Sequence, residues 1–193
     1  MTYYPIFLNL KDKKVLIFGA GAVAFRKAKS LVASEAKLSV ISRDFSEAFR
    51  RFAKSKKIKL QIGSTIPKQL NSISLVVAAT SDAAFNQSVY RVCSRQGIWV
   101  NVVDDPEHSN FIVPSVIRRG TLQVAISTGG ASPYLAKLLR QKFEAELNTK
   151  YADLARFLKK ERSHVKKTIL SARARRNYFQ KLVKAKLKQM GNQ

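Results

Sequence analysis

Over roughly the first hundred positions, short continuous apolar runs alternate with helix-spaced apolar stripes. Lys14-Val15-Leu16-Ile17-Phe18 reads as a short strand. Ala22 to Ala33 then predicts a helix, with Val23, Ala24, Ala28, Leu31 and Val32 on its inner side. Leu38 to Ile41 and Ile58 to Ile62 predict a second and a third strand. Ile73 to Ala79 is an apolar run of the kind expected for a strand covered on both faces. Asp82 to Gln96 predicts a helix with Phe85, Val89, Val92 and Cys93 facing inward, stopped by Gly97. Cys93 therefore reads as a core residue. Ile98 to Val103 closes the set as a further strand. Such alternation is the signature of a parallel sheet with crossover helices.

After Pro106 the pattern changes. Phe111-Ile112-Val113-Pro114 and Leu122 to Ser127 look like strands separated by Arg118-Arg119-Gly120. A helix is expected from about Pro133 to Leu147, with Ser132 as N-cap and Pro133 at the first helical position. From Tyr151 onward the chain reads as basic amphipathic helices. Leu154, Phe157, Leu158 and Ile169, then Tyr178, Phe179, Leu182 and Val183, supply their apolar faces, and Phe157, Tyr178 and Phe179 look like core.

Composition sharpens this picture in two places. With 193 residues and 46% hydrophobic content the chain has ample material for a buried core. No apolar run approaches the ~20 residues needed to span a bilayer, and the start, Met1 to Leu10, lacks a basic segment and a small-residue cleavage site. These features, with a lone cysteine, predict a soluble cytoplasmic protein without disulfides or a multi-cysteine metal site. The formal net charge is +24, and from Tyr151 to Gln193 thirteen Lys and Arg face only Asp153 and Glu161. Such a surplus attracts polyanions: nucleic acid, acidic lipid or a small polycarboxylate.

Four stretches could carry chemistry. Gly19-Ala20-Gly21-Ala22-Val23-Ala24 sits between a strand and a helix. There the first glycine permits a tight turn, the second admits a pyrophosphate, and the small third residue lets helix and strand pack closely. At the tip of the second strand, Ser42-Arg43-Asp44 is mixed. Arg43 favours a 2′-phosphate, whereas Asp44 can reach a ribose hydroxyl. Thr80 follows the apolar strand at the sheet's carboxyl edge and reads equally as a ligand contact or as a cap for the helix beginning near Asp82.

Asn101-Val102-Val103-Asp104-Asp105-Pro106 brings two carboxylates off a strand end, either as a base beside a nicotinamide or as a turn, with His108 as a rival base. Ser127-Thr128-Gly129-Gly130-Ala131-Ser132-Pro133 makes an anion cradle or a glycine-containing loop with a good helix cap. No Tyr-x-x-x-Lys pair and no P-loop occurs. With only His108 and His164, no multi-histidine metal cage can form, so no metal ligands are assigned.

Taken together, these motifs resemble the siroheme synthase N-terminal family. The matching residues are Tyr4-Pro5-Ile6-Phe7-Leu8, the glycine turn with Arg26-Lys27-Ala28, Ala78-Ala79-Thr80 and Asn101-Val102-Val103-Asp104. The most specific are Phe111-Ile112-Val113-Pro114-Ser115 and Ser127 to Pro133, and the resemblance covers roughly residues 1 to 147. Members of that family are precorrin-2 dehydrogenases, and often sirohydrochlorin ferrochelatases too.

The resemblance implies NAD as cofactor, held on Gly21, Ala22 and Val23 and at Arg43-Asp44, and Asp104 as general base. It implies a homodimer built largely on the segment after the Rossmann domain. The expected architecture is α/β: a Rossmann-like parallel sheet domain over residues 1–110, a small α+β dimerisation and substrate segment over 111–149, and a basic helical C-terminal domain over 150–193. Precorrin-2, an anionic tetrapyrrole, gives the positive surplus a small-molecule partner, and ferrous iron is a further substrate in the bifunctional members. Two other readings remain: a non-catalytic dinucleotide-sensing module, and a nucleic-acid binder, for which the basic stretch carries no recognised reading motif.

Overall fold

The computed structural model describes residues 3–191 and divides into two compact units, one up to Val113 and one from Pro114 onward. The first unit runs β1 (Lys14–Phe18), α1 (Ala22–Val32), β2 (Lys37–Ser42), α2 (Glu47–Lys56), β3 (Lys59–Ile62), β4 (Ile73–Ala78), α3 (Ala83–Arg95) and β5 (Trp99–Val102). Its five strands are ordered β3-β2-β1-β4-β5 and every pairing is parallel. This is the Rossmann order, and it reverses between β1 and β4. At that point the crevice outside the carboxyl ends of the strands is open to a ligand.

Strand residues two apart share a face, so β1 feeds two cores at once. Val15 and Ile17 join Val40 and Val77 beneath Ala24 and Ala28 of α1 and Phe49 and Ala53 of α2. Leu16 and Phe18 join Val76, Ala78 and Val100 against Val89 and Cys93 of α3. Cys93 is fully buried, as its place on the inner stripe predicted, and desolvation pushes its thiol up to about 11.

The expected strands and helices of this unit lie within one or two residues of the observed ones, a spread normal for element ends. Helix α2 goes beyond them. Ser46 accepts a hydrogen bond from Phe49 N at 3.2 Å as its N-cap, and Lys57 ends the helix in the left-handed region at φ 55°. Phe49 and Ala53 are its buried contribution, and Phe25 of α1 packs against Phe49 and Phe52.

In the second unit, β6 (Ser115–Arg119) and β7 (Leu122–Ile126) form an antiparallel hairpin, followed by α4 (Pro133–Glu146), α5 (Lys150–Thr168) and α6 (Ala172–Gly191). The expected strand at residues 111–114 is therefore corrected: pairing begins at Ser115. Pro114 has no N–H to give a ladder, and Gly120, at φ 60°, sets the turn so that Arg119 pairs with Leu122 and Ser115 with Ile126. Arg119 then reaches α4, whose last carbonyls need donors. Its Nε donates to Leu147 O at 2.8 Å and its Nη2 to Glu144 O at 3.2 Å.

Ser132 caps α4 by accepting from Leu135 N at 3.1 Å, with Pro133 at the first helical position as expected. Phe157 and Tyr178 are not core residues, being 39% and 36% exposed. Val165, fully buried on α5, holds that place instead, while Phe157 lines an open cleft toward α6 with Lys186 Nζ 5.3 Å from its ring centroid. No described helix is long and apolar enough to cross a membrane.

Candidate active site

Gly19 leaves β1 at φ 101°, its N–H donating to Ile41 O at 2.8 Å. A Cβ at this position would lie 2.4 Å from the carbonyl oxygen of Ala79, so only glycine lets β1 and β4 run side by side into the turn. Gly21 then stands as N-cap of α1 with no side-chain acceptor, and α1 has no acid in its first turn. By contrast α2, α3 and α4 are capped by Ser46, Asp82 and Ser132. The N–H groups of Ala22, Val23 and Ala24 precede the first helical bond, Phe25 N to Gly21 O, and so remain available to an acceptor in front of the helix. Space is also open there, since a Cβ on Gly21 would meet nothing within 4 Å. Unpaired donors, a positive dipole end and an open approach fit the pyrophosphate of a dinucleotide.

A cavity of about 300 Å³ lies beside this turn. It gathers Gly19, Gly21, Ser42, Arg43, Asp44 and Thr80 at the carboxyl ends of β1, β2 and β4. Ser42 is half-buried at the strand tip, while Arg43 and Asp44 are exposed on the rim, where a ribose would sit. Gly63 and Ser64, at the end of β3, also line the cavity, as do Ser81, Asp82 and Phe85. Sequence reasoning missed these five. Their signal was position: Gly63-Ser64 ends a strand on the edge where Ser42 ends its own, and Gly63 N donates to Ser42 O at 2.9 Å.

Thr80 resolves partly toward structure. Its hydroxyl donates to Asn86 Oδ1 at 2.7 Å and accepts from Asp82 N at 3.2 Å. Asn86 Nδ2 returns a bond to Thr80 O at 3.0 Å. The cap of α3 is Asp82, which accepts from Phe85 N at 2.9 Å. Thr80 thus pins the turn that walls the cavity while also facing it.

The two adjacent carboxylates separate cleanly. Asp105 is tied into its loop: Oδ2 lies 2.8 Å from His108 Nδ1, and Oδ1 accepts from His108 N at 3.2 Å. Ser109 closes the same loop on β5, accepting from Val102 N at 2.9 Å and donating to Asp105 O at 2.7 Å. Val100 N donates to Asn110 Oδ1, and Asn101 Nδ2 to Phe111 O. Asp104 stands outside this network, exposed and in the left-handed region at φ 60°, with no hydrogen bond or ion pair among the described residues.

Phe18 pairs with Ala78 and Ala78 with Val102, so Gly19, Ala79 and Val103 each stand one residue past the ladder on three neighbouring strands. Asp104 therefore leaves the same edge as the glycine turn, two strand spacings or about 10 Å away. Lys27 of α1 is the cation whose field it shares. Burial and neighbouring Arg26 hold the Lys27 ammonium below the usual lysine range, and the charge of Asp104 opposes that shift.

The Ser127–Ser132 loop belongs to the second unit. Gly129 and Gly130 turn it at φ 65° and 95°. Thr128 Oγ1 accepts from Ser132 N at 3.0 Å and donates to Ser132 O at 3.1 Å, and Ser127 Oγ accepts from Gly129 N at 3.1 Å. Its hydroxyls thus shape the loop, with Ser127, Gly129 and Gly130 on the surface.

Comparison with known proteins matches residues 6–115 to a family described as "Putative NAD(P)-binding" and residues 119–146 to one described as "Sirohaem biosynthesis protein central". Siroheme synthase of Nitrosococcus oceani is 38% identical over 187 residues, which is 97% of this chain and 40% of that protein. Siroheme synthase 2 of Pectobacterium atrosepticum is 42% identical over 182 residues, 94% of this chain and again 40% of the relative. The chain thus spans about two-fifths of the length of the siroheme synthases it matches. Among solved structures, "SirC, precorrin-2 dehydrogenase" shares the fold with a TM-score of 0.79 at 23% identity, covering 99% of this chain and 100% of its own. A Rossmann unit with an uncapped glycine turn, and relatives that match nearly the whole chain, have one common meaning: the protein belongs to the siroheme synthase N-terminal family, and its first unit is an NAD(P)-binding domain.

Proposed function

We propose that this chain catalyses the NAD-dependent oxidation of precorrin-2 to sirohydrochlorin, the dehydrogenase step in siroheme formation. The observation that carries the reading is the unpartnered carboxylate of Asp104 on the same sheet edge as the glycine turn. The dinucleotide supplies the hydride acceptor. Gly21, Ala22 and Val23 offer backbone room and N–H groups to its phosphates, while Ser42, Arg43, Asp44 and Thr80 border the cavity beyond. Asp104 takes the proton that must leave the tetrapyrrole as the hydride departs, a role suited to an exposed carboxylate that no scaffold contact occupies.

The Ser127–Ser132 loop, including Thr128, Gly129 and Gly130, receives a substrate carboxylate in the same reading. Its exposed glycines leave the backbone approachable. The active form is a homodimer: Tyr134, Leu135 and Leu138 of α4 are 67%, 47% and 43% exposed, an apolar surface suited to a second copy. A cytoplasmic location goes with NAD as co-substrate and with a free, buried Cys93.

An anaerobic assay with purified protein, precorrin-2 and NAD⁺ tests this, following the visible spectrum and NADH together, then adding Fe²⁺. Stoichiometric NADH with the sirohydrochlorin spectrum is expected. Iron insertion faster than background would add ferrochelation, with Fe²⁺ as substrate. Folded, NAD-binding protein that leaves the spectrum unchanged would overturn the enzyme reading in favour of a dinucleotide-sensing module.

A further inference from the structure

A group of uncompensated cations lies far along the sequence from the glycine turn. A cavity of about 600 Å³ opens between α5 and α6, twice the volume of the dinucleotide cavity. Five cations surround it: Arg162 and Lys166 from α5, and Arg175, Arg176 and Lys184 from α6; no carboxylate lines it. Arg162 and Lys166 are one helical turn apart. On α6, Arg176, Gln180 and Lys184 form one row, and Arg175, Phe179 and Val183 form the row beside it. The groove therefore has a charged rim and an apolar floor. Arg175 is already fixed in place, its Nη1 donating to Ile169 O at 2.8 Å and Leu170 O at 2.6 Å. Among the described residues, Arg162, Lys166, Arg176 and Lys184 form no ion pair, whereas Arg156 on the same helix has Asp153 at 3.3 Å.

Five like charges around one cavity repel one another and work against the folded helix pair. An anion that neutralises them recovers that energy, and the apolar floor selects what kind of anion. A nucleic-acid strand asks for an extended phosphate track with stacking aromatics. Here the recess is within the size range of small-molecule pockets and floored by the half-buried Phe179 and Val183, and the next cavity along the same helix pair has Asp153 in its lining, which breaks any continuous phosphate track. We propose that this groove is a second binding site for a tetrapyrrole polycarboxylate, which lays its apolar ring on Phe179 and Val183 and its carboxylates on the five cations. The inference rests on the tetrapyrrole reading above but uses none of the residues of the glycine turn or of Asp104.

The test is equilibrium binding of uroporphyrin III to the full chain by porphyrin fluorescence, with NAD⁺ binding and circular dichroism as folding controls. R162S/R176S is expected to weaken porphyrin binding at least about tenfold, the loss of two charge-assisted contacts. Phe179→Ala should weaken it without changing net charge. The equally charge-reducing K159S/R173S, whose residues do not line the groove, should change it less than about twofold.

Equal losses in both double variants would reduce the effect to bulk charge and overturn the proposal. So would a groove variant that alters the sedimentation coefficient but not porphyrin affinity, which would make the groove a contact between copies. Displacement of the porphyrin by a short oligothymidylate at lower concentration would overturn it in favour of nucleic acid. Porphyrin binding lost only in Asp104→Asn would confine the ligand to the redox edge, overturning the second site while leaving the dehydrogenase reading intact.

Discussion

The carbonyl oxygen of Ala79 occupies the space that a side chain on Gly19 would need, 2.4 Å from where the Cβ would stand. Gly21, two residues on, has φ −69° and open space around its Cβ position. The two glycines should therefore fail in different ways. Gly19→Ala forces both a backbone clash and a strained φ, and should lower stability by roughly 3 kcal/mol or more. Gly21→Ala should stay within about 1 kcal/mol of the parent, yet lose at least about tenfold in NAD affinity, because its methyl meets the approaching pyrophosphate. Urea midpoints and a fluorescence titration with NADH separate the two. Unchanged NADH affinity in Gly21→Ala would mean that the phosphates lie elsewhere.

Asp104 and Asp105 should differ as sharply as their partners do. Asp104→Asn keeps a residue that tolerates the left-handed region and should fold normally, bind NAD within about threefold, and lose at least about 100-fold in turnover. Asp105→Asn breaks the contact to His108 and should cost about 1 kcal/mol of stability, with turnover reduced by less than about tenfold. Single-turnover absorbance of the tetrapyrrole reads both. Equal loss of turnover in the two variants would move the proton-accepting role away from Asp104.

Lys27 makes a pH prediction with a definite sign. Its ammonium is held below the usual lysine range by burial and by Arg26, so between its folded and unfolded pKa the unfolded chain binds more protons. Stability contributed by this group therefore rises with pH across that window. Lys27→Met should be more stable than the parent at neutral pH, and the gap should narrow as pH rises toward the ordinary lysine value. Urea unfolding at a series of pH values checks it; a gap that widens with pH would contradict the sign.

Cys93 should be silent toward thiol reagents in the native protein. Burial both hides it and holds its thiol up at about 11. Reaction with a disulfide reagent near pH 8 should be at least about 100-fold slower than in urea. Fast native reaction would mean that α3 opens away from the sheet.

Much of the first unit was legible because its signals are local. A strand, a glycine turn and an apolar helical stripe follow one another within about twenty residues, and β4 is apolar throughout because both its faces are covered. Helix α2 was not legible, since charged residues dominate it and only Phe49 and Ala53 are buried. The first strand of the hairpin was misplaced because Phe111, Ile112 and Val113 are as strand-like as the true β6, and only Pro114 and the Gly120 turn break the tie. Within the candidate site, the glycine turn and the β2 tip could be read from spacing. The choice of Asp104 over Asp105 could not, because it depends on how residues 102–110 fold back onto β5 through Ser109 and Asn110. Ser64 was hidden for a related reason: its place on the cavity depends on β3 lying beside β2.

The uncapped start of α1 also bears on how long the protein lasts. Three other helices of the chain begin on a serine or aspartate that completes the first turn; this helix begins on Gly21 and leaves that office vacant. A dinucleotide bound there, as proposed, would fill it, and a ligand held only by the folded chain shifts the folding equilibrium by mass action. Under the proposed function, the cell's supply of the oxidant would double as a chaperone for the chain that uses it. A fall in that supply would then leave the standing population of molecules easier for proteases to clear.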